Sequence, residues 1–129
     1  MTLPDFQHAI RHGESSDLPS VLELLTAAGL PTADLTSADG LQLWILTAGD
    51  SPRGVIALER FGDDGLLRSL ALAREYRHRG LGRELVARLE RDARDAGIAQ
   101  LVLLTETAES FFSRLGYDSI DRCLMSEPL

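Results

Sequence analysis

A short apolar run, a basic turn with two glycines and a long amphipathic helix follow one another between Leu66 and Ala96. The run Leu66-Leu67-Arg68-Ser69-Leu70-Ala71-Leu72 has strand length, and Arg77-His78-Arg79-Gly80-Leu81-Gly82 forms the turn. Leu81, Leu85, Leu89, Ala93 and Ala96 then recur on one side of a helix that Gly97 stops. Strand, glycine turn and helix in this order build an anion cradle. The first helical N–H groups have no carbonyl partner inside the helix, and the macrodipole places partial positive charge there. Gly80 and Gly82 carry no Cβ, so a phosphate can come close to the backbone.

The residues narrow what this cradle would hold. A dinucleotide fingerprint needs a third glycine where Leu85 stands, and an NTPase loop needs a Gly-Lys pair in a chain that has no lysine. What remains is Arg77-x-x-Gly80-x-Gly82 after a Leu-Ala-Leu strand. It resembles the acetyl-CoA pyrophosphate loop of the GNAT N-acetyltransferases.

Composition bounds the other classes. At 129 residues, with 44% apolar and 26% charged residues, the chain reads as one globular domain spanning 1–129. No apolar run approaches the roughly 18 residues of a membrane span, and Met1 to Asp5 lack the basic and apolar regions of a secretion signal. Cys123 is the only cysteine, which excludes an internal disulfide and suits a cytoplasmic protein. A net charge of −7 argues against a general nucleic-acid surface. Against it, Arg74, Arg77, His78, Arg79 and Arg83 stand out as a local positive field suited to a polyanion.

In chain order, Phe6–Arg11 reads as a first strand, with His8 and His12 as ordinary surface histidines rather than a metal pair. Ser15-Ser16-Asp17 supplies an N-cap, and Leu18, Val21, Leu22, Leu25 and Ala28 mark a helix ended by Gly29. Thr32–Leu35 adds a further helical turn. Leu41–Leu46 and Gly54–Arg60 are strands flanking a turn at Gly49-Asp50-Ser51-Pro52, and Gly62-Asp63-Asp64-Gly65 turns into the Leu66–Leu72 strand. On the long helix, Glu84–Arg88, Arg88–Asp92, Glu90–Arg94 and Arg91–Asp95 are opposite charges four apart, read as surface pairs. Gln100–Thr105 is a continuous apolar strand, as a buried parallel neighbour requires. Thr107 caps a short helix through Leu115, and Tyr117–Leu124 is the last strand.

The segment Phe111-Phe112-Ser113-Arg114-Leu115-Gly116-Tyr117 is similar to the Phe-Tyr-x-x-x-Gly-Phe core of GNAT proteins, so the resemblance covers nearly the whole chain. Leu103-Leu104-Thr105-Glu106-Thr107-Ala108 is similar to a stretch of small GNAT proteins from arsenic-resistance operons. The resemblance implies an α/β (α+β mixed-sheet) GNAT acyl-CoA N-acyltransferase fold, β-α-α-β-β-β-α-β-α-β, with the seventh strand short or missing. A sheet edge left open there would invite a second copy of the chain as a homodimer.

The resemblance also implies a chemistry. Acetyl-CoA would be the acetyl donor, its pyrophosphate held by Arg77, His78, Arg79, Gly80, Leu81, Gly82 and Arg83. Its pantetheine arm would lie along the backbone of Leu70, Ala71 and Leu72. A small-molecule amine would attack the thioester directly, with Glu59 or Glu106 as candidate base. Arg68 would hold an anionic acceptor or form a salt bridge. Phe112 stands where many GNAT enzymes place a tyrosine that protonates the departing thiolate, leaving water or Ser113 to do so. An acyl-CoA-binding module without turnover and a protein acetyltransferase remain the alternatives.

Overall fold

The computed structural model describes residues 8–29, 41–104, 109–115, 117–120 and 123–125. They form a seven-stranded mixed sheet in the order β1-β2-β3-β4-β5-β7-β6. The strands are β1 (His8–His12), β2 (Leu41–Ala48), β3 (Ser51–Phe61), β4 (Asp64–Leu72), β5 (Gln100–Leu104), β6 (Asp118–Ile120) and β7 (Cys123–Met125), with helices α1 (Leu18–Ala27), α2 (Leu81–Asp95) and α3 (Glu109–Arg114). β1 to β4 are antiparallel neighbours, and β4 and β5 are parallel. That change of direction requires a crossover, which α2 provides.

The two faces of the sheet carry separate cores. α1 lays Val21 and Leu25 on Ile45, Val55 and Ala71. α2 lays Leu81, Leu85, Val86, Leu89 and Ala93 on Trp44, Leu46, Ile56, Leu58, Leu67, Leu101 and Leu103. Val55 and Ile56 alternate between the two, as period-two strands buried on both faces must. Burying a side chain of this size contributes about 1.5–3 kcal/mol, so the two apolar helix stripes are the main anchors of the layers.

Several expectations change. Tyr117–Leu124 is not one strand but parts of the hairpin β6–β7, in which β7 inserts between β5 and β6. The seventh strand is therefore present and short. Ser51 and Pro52 belong to β3 rather than to a turn, because a two-residue turn at Gly49-Asp50 suffices to close the β2–β3 hairpin. Pro52 is tolerated because β4 ends opposite Gly54 and offers it no partner. Asp17 does not cap α1 with its side chain. Its carboxylate accepts two bonds from Arg11, both 2.8 Å, and one from the Glu14 N–H. Of the α2 charge pairs, Arg88–Asp92 forms at 3.0 Å. Glu84 instead bonds His8 on β1, and Glu90 accepts from Tyr117. The Thr32–Leu35 turn lies outside the described residues.

Candidate active site

Two irregularities in β4 open the centre of the sheet. Its register with β3 passes from Val55–Ala71 to Ala57–Arg68, so β4 carries one residue more than its partner around Ser69. Ser69 has a left-handed φ of 62°, the local signature of that bulge. In addition, β5 pairs with β4 only at Asp64–Leu66 and continues beside β7 instead. From Leu67 onward β4 has no strand neighbour on its β5 side among the described residues. The strands thus part just where the bulge re-aims the backbone.

The exposed backbone edge is identifiable. The Ala73 N–H donates to Arg53 O at 2.7 Å, and Ala71 lies opposite Val55, so both bond toward β3. Antiparallel alternation turns the N–H and C=O of Leu72 the other way, into the gap. There the Leu72 carbonyl accepts from Arg77 Nε at 3.1 Å. Arg77 is thus folded back onto β4, tying the glycine turn to the end of the strand.

The turn leads directly into α2. A single 3-10 turn covers Arg74–Tyr76, His78 has φ 63°, and Gly80 is the N-cap with φ 78°. The first helical bond runs from the Glu84 N–H to Gly80 O. By helical geometry the N–H groups of Leu81, Gly82 and Arg83 precede it and are left for an external acceptor. Gly82 is buried, yet the nearest atoms to a Cβ built there, Phe111 Cζ at 3.5 Å, Leu72 Cδ1 at 3.8 Å and Phe111 Cε1 at 3.9 Å, are at ordinary contact distance. The protein itself has room for a side chain at this position. Without a Cβ at Gly82, an anion can come close to the backbone beside these N–H groups.

The local field is positive. Arg74, Arg77, His78, Arg79 and Arg83 are all exposed around this turn. Tyr76 collects two guanidinium groups, with Arg53 at 6.0 Å and Arg79 at 5.7 Å from its ring centre. Sequence reasoning missed Arg53, which lies far upstream. It is the extra residue of a second bulge, where β2–β3 pairing skips from Leu46–Gly54 to Thr47–Pro52.

The two predicted charged residues on strands meet. Arg68 donates to Glu59 Oε1 at 2.8 Å, with both side chains about four-fifths buried. They share the α1 face of the sheet with Ala57 and Ala71, adjacent to the bulge. Glu106 lies outside the described residues. Phe112 is buried in the α2-side core, edge-on to Tyr117, and has no proton to give. Tyr117 donates its hydroxyl to Glu90 at 2.7 Å. Burial, followed by that acceptor, drives its phenol far above the usual range, so it keeps its proton.

The match to known proteins follows this geometry. The model of the acetyltransferase (GNAT) domain matches residues 39–119. The chain belongs to the GNAT acetyltransferase family. The amino-acid acetyltransferase of Pseudomonas syringae pv. syringae is 42% identical over 62 residues, covering 46% of this chain but 14% of that protein. This GNAT chain thus spans about a seventh of the length of that relative. A GNAT acetyltransferase from Staphylococcus aureus superimposes with a TM-score of 0.82 at 17% identity, over 93% of this chain and 98% of the other. N-acetylglutamate synthase from Neisseria gonorrhoeae, crystallised with coenzyme A and L-arginine, gives 0.79 at 21% identity, over 93% and 33%. The ribosomal-protein-S18-alanine N-acetyltransferase of Escherichia coli gives 0.80 at 19%, over 95% and 94%. These matches do not carry the finer resemblance to arsenic-resistance proteins.

Proposed function

We propose that this GNAT domain transfers an acetyl group from acetyl-CoA to the amine of a small, amino-acid-like acceptor, directly and without a covalent enzyme intermediate. The observation that carries the reading is the continuity of three features. The outward Leu72 N–H, the β4–β5 gap and the free N–H groups of Leu81, Gly82 and Arg83 lie along one stretch from the end of β4 to the start of α2. A pantetheine arm is a chain of amides, so it docks along that strand edge as an added strand would. Its pyrophosphate then reaches the start of α2. Acetyl-CoA supplies a thioester whose carbonyl carbon the acceptor nitrogen attacks; the C–S bond then breaks, and coenzyme A leaves as a thiolate that takes its proton from water.

The chain's own residues do the rest. Holding donor and acceptor side by side supplies much of the rate. An outward N–H of the Leu70–Leu72 segment stabilises the developing oxyanion. Glu59 accepts the ammonium proton, directly or through one water, and Arg68 fixes the orientation of its carboxylate. The amino-acid class of acceptor rests on the matched segment of the Pseudomonas acetyltransferase. Thiol release from acetyl-CoA across a panel of amino acids and polyamines tests this reading. Glu59→Gln should lower kcat about 10²–10⁴-fold with an unchanged KM for acetyl-CoA. An unchanged kcat would remove Glu59 from the mechanism.

The buried Phe112 favours a second reading, an acyl-CoA-binding module with little turnover. Tight coenzyme A binding with no thiol release across the panel would select it.

A further inference from the structure

A second cavity of about 440 Å³ lies on the other side of β4, between α1 and the start of β3. It is within the size range of small-molecule sites. Ser20, Glu23 and Leu24 of α1 form one wall, and Arg53, Ala73 and Arg74 form the other. The acetyl path runs on the β5 side of β4, so this cavity is separate from it.

Among the described residues, the wall charges have no ion-pair partners. Arg53 is the extra residue of the β2–β3 bulge, its guanidinium 6.0 Å from the Tyr76 ring centre, and the Ala73 N–H to Arg53 O bond pins the Arg74 segment beside it. Among the described residues neither Arg53 nor Arg74 has a carboxylate partner, and Glu23 has no cationic one. Arg53, Arg74 and Glu23 thus line one cleft without forming an ion pair with one another, in a chain whose overall charge is −7. Local charge is net +1, from two cations and one anion. The complement is a molecule with two carboxylates and one ammonium. We propose that this cleft is a second, non-catalytic site for an acidic amino acid. Its carboxylates bind Arg53 and Arg74, and its ammonium binds Glu23.

The site also borders the cofactor turn. Arg74 opens the 3-10 turn that ends at Tyr76, and Arg53 and Arg79 both lie over the Tyr76 ring. A ligand carboxylate on Arg53 and Arg74 cancels part of the positive field that attracts a polyanion to that turn. Binding at the two sites therefore opposes, and by linkage each ligand weakens the other. This coupling, unlike the site itself, rests on the acetyl-CoA reading.

Calorimetric titration of L-glutamate into the full chain tests the site. One-site binding is expected, lost in the Arg53→Gln/Arg74→Gln double variant and weakened in Glu23→Gln, an exposed change on α1 that leaves coenzyme A affinity unaltered. Glutarate, which is L-glutamate without its ammonium group, should bind more weakly than L-glutamate to the wild-type chain and equally to Glu23→Gln. No heat at millimolar L-glutamate, or equal affinity in the double variant, overturns the proposal; the latter would put the amino acid in the acceptor site. Glutarate binding as well as L-glutamate to the wild-type chain overturns the role of Glu23. Saturating L-glutamate should raise the Kd for coenzyme A roughly fivefold or more, and an unchanged Kd overturns the coupling. If coenzyme A alone fails to bind, the acetyltransferase reading fails while the L-glutamate titration still reports on this cleft.

Discussion

Asp17 stands where the first 3-10 turn passes into α1, nine-tenths buried beneath a half-exposed Arg11. The two bonds from Arg11, outweighing the burial that opposes them, hold its carboxyl down at about 2 against an ordinary 3.8. A depressed carboxylate contributes stability that is complete above its unfolded value and lost as pH falls toward its folded one. The pair therefore protects the fold above about pH 4 and fails between there and pH 2. After discounting for solvent around Arg11, its contribution is about 1–2 kcal/mol. Asp17→Asn should lower stability by that amount at neutral pH and flatten the pH 4-to-2 limb of a denaturation series. An unchanged acid limb would assign acid unfolding to other groups.

Asp92 works at the same scale on the opposite face. Burial pushes its carboxyl up, but the bonds donated by Trp44 Nε1 at 2.7 Å and Arg88 Nε at 3.0 Å outweigh that and leave it lowered. Arg88 in turn donates to Ile10 O, so one carboxylate ties β1, β2 and α2 together. Asp92→Ala strands a fully buried indole N–H and should cost about 2–3 kcal/mol in chemical denaturation. A loss under about 0.5 kcal/mol, the scale of an ordinary surface change, would contradict this role. In the sequence, Asp92 was visible only as half of an i,i+4 pair with Arg88. Its tertiary partner Trp44 sits on a distant strand, and nothing in local spacing points to it.

At the scale of elements, β4 decides the site. Its apolar run and the periodic helix after it were legible because burial on both faces of a sheet, and on one stripe of a helix, writes itself into residue order. The bulge was not. Ser69 is an ordinary residue, and its left-handed φ follows from a register mismatch with β3 that one strand's sequence cannot express. The Arg53 bulge was hidden for the same reason. Strand β7 went unread because two three-residue strands carry too few alternations to separate from one longer strand. Ser69→Gly should relieve left-handed strain and raise stability by about 0.5–1 kcal/mol. Ser69→Val should lower it by more and disturb the Leu70–Leu72 edge. If Ser69→Val is as stable as wild type and binds coenzyme A normally, the bulge does not depend on that backbone state.

The whole molecule is a sheet whose two faces are packed independently and whose middle is pried open. α1 and α2 seal the faces, so the parting of β4 from β5 costs no core side chain and leaves backbone amides facing a gap. The positive turn at its mouth works against an acidic background, concentrating the field where α2 begins. The candidate cofactor residues were legible as a motif because glycines and arginines carry their reason locally. The pairing of Glu59 with Arg68 needed the β3–β4 register, and the acceptor is written in no motif.

Calorimetry of coenzyme A binding to the wild-type chain, Gly82→Ala and Gly82→Glu addresses the central claim most directly, with thermal unfolding of each as the folding control. The carbons around Gly82 leave room for a methyl, so Gly82→Ala should fold normally, yet its methyl stands beside the free N–H groups of the first helical turn. The account predicts that wild type binds, that Gly82→Ala binds at least tenfold more weakly, about 1.4 kcal/mol, and that Gly82→Glu does not bind. Equal affinity for all three folded proteins would contradict a diphosphate held at the start of α2.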